Sequence, residues 1–327
     1  DVVNVMRGLR QGCIGSPLFF DVFINDILDF RGSEGRSIRE LGVKLKAPRF
    51  QDGMEKFSGL LLADDVALLA SSRVKLDLCL KTLGEWADLN GMRVGVPKCG
   101  IMGFGPQGMC KVQQWAHRWT CKGGGIIQQE DLIPVVQEYL YLGCAISPET
   151  NKGIDLDHMA KRRSEMARGS LHKITPTLRD ILVPIEVKVK LIKSVLCPSI
   201  LYGSEVWGMC RARSDHGQRV LMKAIGYSLD ATRVPDVVLA ELEIPSIYAS
   251  SNSARARALY KWAGVKTTVK KLIRAPSNKG RRLTWVSGTN RYINAFYKKV
   301  ALRAERDIGW NLQNYGSTNG EKAELTD

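Results

Sequence analysis

The chain has 327 residues, 44% hydrophobic and 25% charged, with a formal net charge of +15. A balance of this kind buries a real core, and no apolar run approaches the roughly 18 residues of a membrane span. The charge is one-sided: residues 1–150 hold 17 Lys+Arg against 17 Asp+Glu, while residues 151–327 hold 31 against 16, which is the whole surplus. Such a surplus suits a phosphate backbone as partner, although a merely solvated basic surface has the same composition.

In chain order, "GLRQGCIGSPLFFDVFINDIL" reads as a Gly-rich turn followed by an apolar helix. Ser16 is the expected N-cap and Pro17 the first helical residue, with Phe20, Phe23, Ile24, Ile27 and Leu28 at helical spacing. A polar stretch from Arg31 to Lys56 contains a strand-like "LGVKL" at Leu41–Leu45. Two apolar runs of strand length follow, Phe57–Leu62 and Val66–Ala70, separated by Asp64 and Asp65. Leu76, Leu80, Leu83 and Ala87 mark one face of a helix over Leu76–Leu89. The next stretch, "GMRVGVPKCGIMGFG", predicts a strand. An insert from Gln107 to Ile126 carries Trp115 and Trp119, an apolar content that predicts packing, and Tyr139–Ser147 is again strand-like.

Beyond Asn151 the period becomes helical. Helices are expected near Asp155–Ile174, Pro184–Leu196, Asp215–Ile225, Val234–Ala240, Ser246–Gly264 and Arg291–Ile308, ending in a polar tail. The eight cysteines are scattered and form no CxxC pair, which predicts reduced thiols in an intracellular protein of nucleus or cytoplasm. Cys110, His117 and Cys121 lie close in sequence, but their spacing fits no common zinc frame and a fourth ligand is missing. No signal peptide opens the chain, and its start, "DVVNVMRGLRQG", reads as the middle of something larger.

Asp64 and Asp65 break an apolar run. Two carboxylates at a rigid hairpin tip supply hard oxygen ligands for a divalent cation, and phosphoryl transfer by paired metal ions needs carboxylates that flank both. The plainer reading of the pair is a polar turn between strands, since Asp favours turns.

Five motifs in order decide the expectation. They are Gly8, Gln11, Gly12, Ser16 and Pro17; then Ala63, Asp64 and Asp65; then Trp86 and Lys98; then Tyr141, Leu142 and Gly143; then Pro198, Tyr202, Gly203, Glu205 and Trp207. The series resembles the reverse transcriptase of non-LTR (LINE-type) retrotransposons from its second palm motif onward, over most of residues 5–250. That resemblance implies an α+β fold. Residues 1–150 would form a partial polymerase palm of a helix plus antiparallel hairpins, and 151–212 an α-helical thumb. A basic helical C-terminal region would span 213–312 and a disordered tail 313–327.

The resemblance further implies an RNA-directed DNA polymerase that transfers nucleotides from dNTPs to a primer 3′ hydroxyl on an RNA template. Asp64 and Asp65 would hold Mg2+, and Lys98 would donate a proton to the leaving pyrophosphate or act as a plain electrostatic contact. Gln11, Gly12, Ser16 and Pro17 would meet nucleotide and template. Tyr141, Leu142 and Gly143 would form the primer grip. Lys161, Arg162, Arg163 and Arg168, on one basic helix, would track the nucleic-acid backbone. Trp207 is expected in the core.

Departures from the family pattern are Leu62 for an aromatic residue, Phe19 for Leu and Gly95 for Asn. The family's first palm motif, with a third metal-binding Asp, has no counterpart in the sequence, nor do the fingers or an N-terminal endonuclease. The chain by itself is therefore expected to be inactive. Its competing readings are a degenerate retroelement remnant that only binds nucleic acid, and another polymerase lineage such as a group II intron maturase.

Overall fold

The computed structural model describes residues 12–44, 56–105, 108–114, 117–122, 128–149, 153–274 and 284–308. The chain divides into two compact units, Asp1–Met159 and Ala160–Asp327. The first mixes helices with small antiparallel hairpins, and the described part of the second is helical. Residues 313–327 lie outside the described residues.

In the first unit, Gly12 turns through φ +84°, a conformation that favours glycine, into α1 (Ser16–Ile24). Pro17 sits in the first turn, where its missing N–H costs nothing, and the cap is Gly15, one residue ahead of the expected Ser16. Helical spacing continues past Ile24, but residues 25–29 form turns; they still bury Ile27 and Leu28. α2 (Ile38–Leu41) starts from a capping box between Ser37 and Glu40. β1 (Val43–Lys44) pairs with β2 (Lys56–Phe57), and β3 (Gly59–Leu62) pairs with β4 (Asp65–Leu68).

α3 (Arg73–Leu89) is capped by Ser72 and buries Cys79, Leu83, Trp86 and Ala87. Leu76 and Leu80 pack at its half-buried edge. Trp86 sets its ring edge-on to Phe23 at 5.8 Å, and its indole N–H donates to Asp26 Oδ1 at 3.0 Å. Burying each such large side chain contributes about 1.5–3 kcal/mol. The strand expected around Lys98 does not form. Val96–Lys98 is a 3-10 turn, because Pro97 has a fixed φ and no N–H for a ladder.

α4 (Gly108–Gln113) leads to β5 (His117–Lys122), which pairs with β6 (Gln128–Ile133) and buries Trp119 as expected. Trp115 lies outside the described residues. β7 (Tyr139–Tyr141) pairs with β8 (Cys144–Ile146), and β9 (Pro148–Glu149) with β10 (Gly153–Ile154).

α5 (Leu156–Arg179) begins at the end of the first unit and runs into the second. There it buries Ala160, Ser164, Ala167, Leu171, Ile174 and Leu178 at helical spacing. α6 (Ile185–Leu191) passes through a π turn at Ile192–Leu196 into α7 (Cys197–Leu201). The single helix expected over Pro184–Leu196 is interrupted this way because Pro198 cannot donate to the carbonyl four residues back. Gly203, at φ +73°, ends the run, and α8 (Ser204–Trp207) buries Trp207 in the core. α9 (Arg211–Leu229), α10 (Val237–Glu241), α11 (Ile247–Gly264), α12 (Thr268–Arg274) and α13 (Trp285–Ile308) complete the unit. A Cβ at Gly208 would stand 2.7 Å from the Ser251 carbonyl oxygen, so this glycine permits the approach of α8 to α11. No helix among the described residues is long and apolar enough to cross a membrane.

Candidate functional site

β3 and β4 pair as Leu62↔Asp65, so the two-residue tip is Ala63–Asp64 and Asp65 is the first residue of β4. The turn lies one position ahead of the Asp64–Asp65 separator expected from the sequence. Ala63 holds φ +49°, a left-handed conformation that costs an L-residue roughly 1–2 kcal/mol. Both carboxylates are exposed, and neither forms an ion pair or hydrogen bond with another described residue. The flanking Leu61 and Val66 pack against the core of the unit, which anchors the strands beneath the tip.

The "YLG" motif is a second hairpin tip. Tyr141 pairs with Cys144, so Leu142 (φ +49°) and Gly143 (φ +75°) are the two turn residues, both left-handed as a type I′ turn requires. The Tyr139 hydroxyl donates to the Lys98 carbonyl at 3.0 Å, which ties this hairpin to the 3-10 turn. Burial raises the Tyr139 phenol above its usual range, with further contributions from Cys99 and from the charge of Asp65. Burial also raises Tyr141, followed by the charges of Asp65 and Tyr139. Both tyrosines therefore feel the carboxylate at the first hairpin. The Lys98 backbone and the Asp65 charge thus both act on the Tyr139–Tyr141 strand, the first through a hydrogen bond and the second at longer range. Lys98 is exposed and pairs with no carboxylate among the described residues.

Gly12, Ser16 and Pro17 stand at the head of α1. Beside them the exposed Cys13 thiol is held below its ordinary range, chiefly by the Gly15 backbone N–H and then by Ser16. Gln11 lies outside the described residues. Two exposed carboxylates at one tip suit a hard divalent cation as partial ligands. Among the described residues, no group of three or more His, Cys, Asp and Glu side chains is placed to hold a metal ion. His117 is buried and its Nδ1 lies 3.0 Å from Asp77 Oδ1, while Cys110 is exposed.

On α5, Lys161, Arg162 and Arg168 are exposed. Arg162 pairs with Glu165 at 3.0 Å. Arg163 turns inward instead. Its Nε donates to the Ser199 carbonyl at 2.6 Å, and its guanidinium lies 4.7 Å from the Tyr202 ring centroid. The basic row seen in sequence therefore splits between solvent and a helix–helix contact.

Sequence reasoning missed Arg255. It is buried, with Nη1 donating to the Gly208 carbonyl at 2.6 Å, Nη2 to the Trp285 carbonyl at 3.0 Å and Nε to Thr289 Oγ1 at 2.9 Å. Burial first, and then the charge of Arg213, pull its pKa down to about 10. Trp285 stacks on Trp262 at 5.2 Å and donates to the Glu205 carbonyl at 2.8 Å, so it packs inside the unit. Arg281 and Arg282, the neighbouring basic pair, lie outside the described residues. In sequence, Arg255 shows only as one of two arginines, with Arg257, in the otherwise small-residue helix stretch "SNSARARA".

No protein-family profile matches the chain, and no curated protein matches it.

Proposed function

We propose that the chain supplies the catalytic hairpin, primer grip and thumb of an RNA-directed DNA polymerase of the non-LTR retrotransposon type. The observation that supports this reading most is the tie of the Tyr139–Tyr141 strand to the Lys98 turn by a hydrogen bond and to Asp65 by charge. These links between three motifs far apart in sequence support the reading, since a nucleotidyl-transfer centre draws its groups from separate segments.

Asp64 and Asp65 would hold the metal. Magnesium bound there would neutralise triphosphate charge and acidify the primer 3′ hydroxyl. The strained Ala63 backbone holds the two carboxylates at the tip, outside the apolar layer that fixes the strands. Lys98, exposed on a turn tied to Tyr139, carries a positive charge to the same region and can deliver a proton to the leaving pyrophosphate. The Tyr141–Gly143 turn presents a rigid edge to the primer, and Gln11 to Pro17 contact nucleotide and template. Lys161, Arg162 and Arg168 meet backbone phosphates, whereas Arg163 acts inside the unit.

The experiment is primer extension on an RNA template with Mg2+, using the full reading frame that encodes this chain. The wild type should incorporate dNTPs, and Asp64→Ala should lower the rate by at least about a thousandfold with template binding retained. Equal extension by the Asp64→Ala protein would end the enzymatic reading. A second reading, that the chain only binds nucleic acid, draws on the basic surplus of residues 160–327, with 30 Lys+Arg against 14 Asp+Glu. It predicts salt-sensitive binding with no extension by the wild type.

A further inference from the structure

α5 and α9 enclose a groove of about 760 Å³ within the second unit. One wall carries Arg168, His172, Thr175 and Arg179, spaced at about one helical turn along α5, and the other carries Arg219, Lys223 and Tyr227 along α9. Leu171 and Val220 make an apolar floor. Among the described residues, no acidic side chain lines it. Arg168, His172, Arg179, Arg219 and Lys223 are all exposed or half-exposed, and none forms an ion pair with a carboxylate among the described residues.

Tyr227 organises the mouth. Arg179 lies 4.3 Å from its ring centroid and Lys223 5.7 Å, so one ring holds two cations within about 10 Å of one another. Arg219 and Lys223 are four residues apart on one helix, a like-charge spacing that costs stability in the free protein. Arg219 Nη2 also donates to His216 Nδ1 at 2.9 Å, and an anion between the two cations would relieve their repulsion.

We propose that the α5–α9 groove is a binding site for a nucleic-acid phosphodiester backbone. From Arg168 to Arg179 the helix advances about 16 Å, long enough to meet several successive phosphates of one strand. Guanidinium forks on both walls suit phosphate oxygens. An acidic polypeptide fits less well. Both walls are helices whose backbone groups bond internally, so an extended peptide would find no main-chain partners there. The site deepens the phosphate contact proposed above for Arg168, and it stands whether or not the Asp64 hairpin performs polymerase chemistry. It extends the exposed basic row of α5, Lys161 and Arg168, onto a second helix.

The test is fluorescence anisotropy with the full chain, using a labelled single-stranded RNA and an RNA–DNA duplex from about 50 to 200 mM salt. Arg179→Gln/Arg219→Gln should weaken binding about tenfold or more and lower the log–log salt slope by about 1.4 to 1.8, the value of two lost phosphate contacts. Comparing the two probes shows whether single strand or duplex is preferred. Lys190→Gln/Lys193→Gln makes the same charge change in a cleft that also holds Glu186, Glu241 and Glu243, and should stay within about twofold of wild type. A thermal melt checks folding. If the groove variant melts early, Arg168→Gln/Lys223→Gln gives the same reading. Wild-type affinity and slope in a folded groove variant would overturn the proposal. So would polyglutamate competing as well as RNA at equal charge, which would mark an acidic-protein site.

Discussion

The two units handle charge in opposite ways. Residues 1–159 hold 18 Lys+Arg against 19 Asp+Glu, and residues 160–327 hold 30 against 14. In the first unit many charges are matched: Asp29 with Arg39, Glu40 with Arg31 at 2.5 Å, Glu34 with Lys81 at 2.6 Å and Asp77 with Arg73 at 3.4 Å. These half-exposed pairs contribute only about 0–1 kcal/mol each. Their effect is to leave Asp64 and Asp65 as carboxylates with no described partner at a strained tip. In the second unit the cations outnumber their partners, and several line one groove. A neutral scaffold with a local acidic point suits ion chemistry, and a basic scaffold suits a polyanion.

The largest effect that could break this contrast is the thousandfold loss expected for Asp64→Ala in primer extension. Arg255→Met comes next. The substitution strips hydrogen bonds from the Gly208 and Trp285 carbonyls and from Thr289, and should destabilise the second unit by about 3 kcal/mol. Calorimetry should show the loss confined to one of two transitions; an unchanged melt would show that this buried cation is dispensable.

Thiol reactivity offers a third comparison. Burial pushes Cys79 and Cys197 up to about 11, whereas hydrogen bonds at the head of α1 lower Cys13. At about pH 8, iodoacetamide should label Cys13 about a hundredfold faster than either buried thiol, because only thiolate reacts. Peptide mass mapping over time reads this directly, and equal rates would mean that the cores of both units open readily. The smallest effect is Ala63→Gly. Glycine removes the left-handed strain at the tip and should raise stability by up to about 1 kcal/mol, a shift that chemical denaturation can resolve.

Local elements were largely legible from sequence because their periods were clean. The helix around Leu83 and Ala87, the helix from Ser246 and the hairpin carrying Asp64 all follow from apolar spacing and caps. Proline chemistry explains the misses: Pro97 turned an expected strand into a 3-10 turn, and Pro198 opened a π turn. The link between Lys98 and Tyr139 was not legible, since it is a tertiary hydrogen bond across 41 positions. The groove was hidden for a similar reason. Arg179 and Arg219 lie 40 residues apart, and the sequence shows each only as one more cation on a helix. Arg163 illustrates the reverse case: its neighbours suggested solvent and phosphate, but the fold spends it on Ser199 and Tyr202.

The most direct test of the contrast puts Asp64→Ala and Arg179→Gln/Arg219→Gln of the full reading frame side by side. Both are assayed on one primed RNA template for binding by anisotropy and for single-turnover dNTP incorporation. Asp64→Ala should keep wild-type affinity and lose incorporation. The groove variant should lose affinity and recover its incorporation rate once template is saturating. A groove variant that binds as wild type, or an Asp64→Ala protein that incorporates as wild type, would contradict the contrast.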